Sequence, residues 1–171
     1  HRHYVPCLRW KQGEYQAVQL LSASAKEMIT PLFEVAEPGF DFETRTTKKT
    51  LDDHLAPFAR RVEAKWGRRS CFVDLTQLNP ADRMADGRHP VRFVFDDLRA
   101  RGCPAVPVTG LSRDDAYQQA VMQVEDHRGL CLRLHISEAA RSDLKATMDA
   151  LLRTVPPNKC DLILDLGAPD N

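Results

Sequence analysis

The chain has 171 residues, 43% of them hydrophobic, with 24 basic and 24 acidic side chains and a formal net charge of zero. That length supports one substantial core, hence a single α/β domain over residues 1–171, and the balanced charge argues against a protein devoted to gripping nucleic acid. No apolar run approaches the roughly 20 residues that cross a bilayer, and no basic-then-apolar leader opens the chain, so no membrane partner is expected.

In chain order, His1 and Arg2 read as a frayed end, and a first strand over 4–9 precedes a helix carrying Tyr15, Val18 and Leu21. A second strand over 29–36 leads through a polar loop to a helix on Leu51, Leu55, Phe58 and Val62. Those spacings mark one buried helical face. Thr50 with Asp53 reads as its capping pair, and Pro57 should kink it or delay its start. A third strand over 71–76 precedes a helix begun by Pro90, striped by Val91, Val94, Phe95 and Leu98 and ended by Gly102. A fourth strand over 105–109 precedes a helix capped by Ser112 with Asp115, its inner face carrying Ala116, Ala120 and Val124. A fifth over 130–136 precedes a helix on Leu144, Met148, Leu151 and Leu152, and a sixth covers 162–166.

The fifth strand is the most informative. Leu130, Leu132, Leu134 and Ile136 are aliphatic, while Cys131, Arg133 and His135 carry a thiol, a guanidinium and an imidazole. Such alternation places one face against apolar helices and aims the other at something polar. Asp165 and Asp74 repeat the pattern on the sixth and third strands. Regular β/α alternation with charges at the carboxyl ends of strands predicts a TIM-like (β/α)8 barrel. Each unit takes roughly 28 residues, one-eighth of a barrel of about 250, so six units are present. The expectation is therefore the N-terminal part of a longer barrel, completed after Asn171. The alternative is a doubly wound open parallel sheet, which six strands would complete. Against it, the first βα turn, Trp10-Lys11-Gln12-Gly13-Glu14, has one glycine and no GxGxxG.

The opening Tyr4-Val5-Pro6-Cys7-Leu8-Arg9-Trp10-Lys11-Gln12-Gly13-Glu14-Tyr15, then Ile29-Thr30-Pro31-Leu32-Phe33-Glu34-Val35, resembles the "beta protein" family, named after a phage T4 product. The strands Phe72-Val73-Asp74 and Leu162-Ile163-Leu164-Asp165 look similar to it as well. The resemblance implies the same fold and a longer full-length chain, and carries no established activity.

Arg9, Lys11, Glu34, Asp74, Thr109, Arg133, His135 and Asp165 then fall on inward or rim positions. Charges inside a barrel are costly unless paired, so they survive as ion pairs or as a site. The structural reading pairs Glu34 with Arg9 and Asp74 with Arg133. The functional reading is an enzyme acting on a small anionic or phosphate-bearing substrate, held by Arg9, Lys11 and Arg133. In it Glu34, Asp74 and Asp165 move protons or hold a hard divalent cation such as Mg2+, and His135 is the acid or base. Gly13 would let backbone amides approach an anion beside Lys11. The alternative is a non-enzymatic, phage- or defence-associated module that binds a protein partner. His54, His89 and His127 read as solvated, and the basic run Arg60-Arg61, Lys65, Arg68 and Arg69 as a solvated helix end. Five cysteines without a CxxC or CxH pair fit reduced thiols in a cytoplasmic protein.

Overall fold

Every run read as a strand is one, and strands pair in the order in which they occur. The elements are β1 (Cys7–Arg9), α1 (Gln12–Leu20), α2 (Ala23–Glu27), β2 (Leu32–Glu34), β3 (Phe40–Asp41), β4 (Thr46–Thr47), α3 (Leu51–Leu55) and α4 (Phe58–Lys65). They continue with β5 (Cys71–Asp74), α5 (Pro90–Ala100), β6 (Ala105–Thr109), α6 (Asp115–Val124), β7 (Leu130–His135), α7 (Ile136–Ala139), α8 (Leu144–Leu151) and β8 (Cys160–Asp165). The structure, a computed structural model, describes residues 4–41, 46–47 and 49–167; His1 and Arg2 lie outside them.

The main sheet has six strands in the order β1-β2-β5-β6-β7-β8, all parallel, curled into a half-barrel. This sequential order has no reversal, so the doubly wound alternative does not describe the sheet. β3 and β4 form a separate antiparallel ladder. Strand parity sorts the two faces. Leu32, Phe72, Val106, Val108 and Cys131 cluster on the concave face with Ile163. Phe33, Val73, Ala105 and Leu130 face the other way, into the main core with Val62, Phe95 and Val121 of the helices. Leu132 and Leu134 join a third cluster against Leu144 and Met148 of α8.

Helix boundaries show where local rules governed. Thr50 Oγ1 accepts from the Asp53 amide, starting α3, and Pro57 divides the expected single helix into α3 and α4. Pro90 occupies the first position of α5 as expected. On α6 the cap is Asp114, which accepts from the Tyr117 amide, and not Ser112. Tyr117 and Val121 are buried with Ala120 and Val124, so the inner stripe is shifted from Ala116. The helices α2 and α7 were not legible. On β8 and just after it the even leucines differ from those of β7: Leu162, Leu164 and Leu166 are 59%, 49% and 68% exposed. All five cysteines are free thiols, and among the described residues no helix is long and apolar enough to cross a membrane.

Candidate functional site

Parallel strands in register bring polar positions from five of the six strands, all but β6, to the same end of the concave face. Arg9 pairs in register with Glu34, Glu34 with Asp74, and His135 with Asp165. Arg133 on β7 reaches across this row. Its Nη1 donates to Glu34 Oε1 at 2.6 Å and to Asp74 Oδ2 at 3.1 Å. Its Nε donates to Asp165 Oδ2 at 2.9 Å, and Nη2 lies 2.7 Å from the same oxygen. One guanidinium thus ties β7 to β2, β5 and β8. Those three carboxylates hold its pKa above the ordinary arginine value against the opposing effect of burial.

Asp74 is fully buried, at 0% exposure. Its Oδ2 also accepts from Arg113 Nη2 at 3.1 Å, and its Oδ1 accepts from the Thr76 amide at 3.0 Å. The Tyr117 hydroxyl lies 3.2 Å from Asp74 Oδ1 and 3.2 Å from the Val108 carbonyl, and itself accepts from the Leu75 amide at 3.0 Å. Its single proton goes to the ionised carboxylate, the stronger acceptor. Asp74 then receives four donors, one for each lone-pair position of a carboxylate. Burial, followed by the Asp74 charge, pushes the Tyr117 phenol well above its usual range, so it stays a donor. Arg113 Nη1 also bonds Thr76 Oγ1.

Two glycines hold this geometry. A Cβ at Gly110 would stand 2.8 Å from the Arg133 carbonyl oxygen, so β6 and β7 can approach here only without a side chain. Gly167, at φ +75°, turns its amide back to Asp165 Oδ1 at 3.0 Å. That bond, ahead of Arg133, holds the Asp165 carboxyl below the usual carboxylate range.

Above Arg133 lies a cavity of ≈ 250 Å³, rimmed by Gln77, Ser112, His135, Glu138 and Asp165. His135 is exposed and caps α7: its Nδ1 accepts from the Ser137 amide at 3.3 Å and lies 2.7 Å from Ser137 Oγ. Accepting at Nδ1 leaves the proton of a neutral ring on Nε2. Glu138 Oε2 accepts from the His135 amide at 2.8 Å, while its Oε1 is buried without a hydrogen-bond partner among the described residues.

Of the residues singled out from sequence, Glu34, Asp74, Arg133 and Asp165 meet directly, and His135 stands beside them on the rim. Arg9 is peripheral: its Nε lies 3.9 Å from Glu34 and its side chain is half exposed. Lys11 does not join the cluster; it caps α1 and faces a different cavity, and Gly13 sits inside that helix and not in a loop. Thr109 shares its parity with Ala105 and so faces the helix layer, where its hydroxyl is buried without a partner among the described residues. The three carboxylates expected to hold a divalent cation close instead on the Arg133 guanidinium. Among the described residues no set of three His, Cys, Asp or Glu side chains is placed to hold a metal ion. Nor are all the other histidines solvated. His54 Nε2 lies 2.6 Å from the Ala36 carbonyl, and His89 Nδ1 accepts from the Val91 amide at the start of α5.

Arg113, Tyr117 and Glu138 were missed. Arg113 follows a strand end, a position that could have marked it, whereas Tyr117 reads as an ordinary core residue of an amphipathic helix.

No curated protein matches the chain. The Beta protein family model matches residues 4–171, nearly the whole chain, and the chain therefore belongs to that family.

Proposed function

We propose that the chain forms part of a TIM-like barrel enzyme that takes a small polar substrate in the cavity above Arg133. The sequential parallel order and the charges at the carboxyl ends of the strands support the barrel. One observation carries the site: the cavity has a floor of saturated, immobile charges and a rim of underused ones. Arg133 and Asp74 spend their hydrogen-bonding capacity on each other and their neighbours, so they act as a preorganised electrostatic floor. His135 Nε2 and Glu138 Oε1 are left to exchange protons with a bound molecule. Because most Arg133 donors already meet carboxylates, Arg133 chiefly orients the acids and has little left for a substrate.

The test is ligand-observed NMR with a library of metabolite-sized polar compounds. Hits should bind saturably, shift the His135 and Glu138 resonances, and be lost in His135→Ala and Glu138→Gln but kept in the surface control Leu20→Ala. Hits that ignore both rim variants would overturn the reading. A second reading, a protein-interaction module, is favoured by one observation, the exposed leucine face of β8. Its distinguishing outcome is association of the chain that Leu164→Lys abolishes while small-molecule binding at the rim is absent.

A further inference from the structure

A larger cavity, ≈ 1030 Å³, adjoins the one above Arg133, and Gln77 lines both. Its other walls include Trp10, Lys11, Tyr15, Lys49 and Arg61. Three features of it call for an anion.

The first is the start of α1, a nine-residue helix. The first amides of a helix have no intrahelical partner, and the dipole makes that end positive. The cap residue here is Lys11, which carries no acceptor and adds a second positive charge where helices favour Ser, Thr, Asp or Asn. The Lys11 amide itself donates to the Arg9 carbonyl at 2.6 Å and to Glu14 Oε2 at a long 3.4 Å. A Cβ placed on Gly13 would meet nothing within 4 Å, so the Gly13 position is open.

The second is Trp10, which is 6% exposed and packs its ring 4.1 Å from Phe33 and 5.7 Å from Tyr15. Its Nε1–H is buried and has no hydrogen-bond partner among the described residues. An unmet buried donor is costly, and an acceptor reaching it from the cavity would relieve that cost.

The third is charge. Lys11, Lys49 and Arg61 line the cavity against Glu37 and Asp82, and Arg61 is already held 5.6 Å above the Tyr15 ring. Cations beside an aromatic wall suit a ligand with an anionic group on a flat ring.

We propose that this cavity binds the phosphate of a ring-bearing phosphomonoester, through the Lys11 ammonium, the Gln12 amide at the start of α1 and the Trp10 indole N–H. The assignment deepens the preceding reading, on which it rests for the neighbouring reaction site, by naming the substrate class. It also moves the anion from Arg133 to α1.

The experiment titrates the ¹⁵N-labelled chain with phenyl phosphate, inorganic phosphate and phenol at constant ionic strength. The Trp10 indole N–H and the Gln12 amide should shift saturably with phenyl phosphate, less tightly with inorganic phosphate, and not with phenol. Lys11→Ala should weaken phenyl phosphate binding by about tenfold or more, the loss expected for one charge-assisted bond. Trp10→Phe, which keeps the ring against Phe33, should weaken it several-fold and exclude a purely structural role for the indole. Absence of saturable shifts, indifference to Lys11→Ala, or equal binding of phenol would each overturn the proposal. Binding that His135→Ala and Glu138→Gln leave intact, with their resonances unmoved, would keep this anion site and remove only the reaction site beside it.

Discussion

Replacing Arg133 by Met is the sharpest test of the inner cluster. The side chain is 16% exposed and its guanidinium bonds three carboxylates. Without it Asp74 keeps Arg113, Thr76 and Tyr117, whereas Glu34 keeps the Cys7 thiol, a weak donor, and Arg9 at 3.9 Å. Asp165 is partly exposed and keeps the Gly167 amide, so it loses little. Breaking a buried pair by removing one partner costs about 3–5 kcal/mol, and the donors left on Asp74 place this case at the lower end. A loss of about 3 kcal/mol corresponds to a fall in Tm of roughly 6–12 °C for a domain of this size. Glu34→Gln in the same background should recover part of the loss, because it removes the charge left stranded. The gap between wild type and Arg133→Met should narrow in acid, since protonated carboxylates need no counter-charge. The folded pKa of Asp165 is depressed, first by Gly167 and then by Arg133. Its contribution is therefore present above the unfolded value of about 3.9 and lost as pH falls through the lower folded value. Urea unfolding followed by circular dichroism at neutral pH and well below about pH 3.9 measures all of this. A variant within about 1 kcal/mol of wild type at neutral pH would refute the ion-pair lock, and so would a gap unchanged by acid.

Gly110→Ala should lower stability by about 1–3 kcal/mol, because the new methyl meets the Arg133 carbonyl oxygen at 2.8 Å; unchanged unfolding would show that β6 and β7 can move apart. Burial, then Arg83, depresses the His89 pKa, so stability should decline as pH falls below about 6.5, the unfolded value, and through the lower folded one. His89→Asn should retain the cap of α5 and flatten the unfolding curve in that window. Burial first, then the neighbouring Glu34 carboxylate, pushes the Cys7 thiol up to about 11. Its alkylation rate should therefore still be rising at pH 10, and Glu34→Gln should move the midpoint down; a midpoint at the free-thiol value in wild type would contradict the packing of Cys7 over Glu34.

Much of the fold was local information. The aliphatic positions of Leu130, Leu132 and Leu134 announce a strand and its buried face whatever surrounds them, because side-chain parity follows from the backbone. The same parity placed Glu34, Asp74 and Arg133 on the concave side before any strand order was known. Caps and breaks at Thr50, Pro57 and Pro90 are equally local, since each acts on amides within a turn. What only the tertiary structure decided is who meets whom. Glu34 and Arg133 are 99 residues apart, and their 2.6 Å bond depends on the register of four strands, β2, β5, β6 and β7. Arg113 and Tyr117 reach Asp74 from the loop and helix after β6, so their part in the site comes from how α6 packs and not from their own surroundings in sequence. Lys11, two residues beyond Arg9 and on the same face in a strand reading, was turned by the start of α1 into another cavity. A charge in the sequence shows which end of the sheet will be polar. Only the packed sheet decides whether that charge is saturated by neighbours or left facing a ligand.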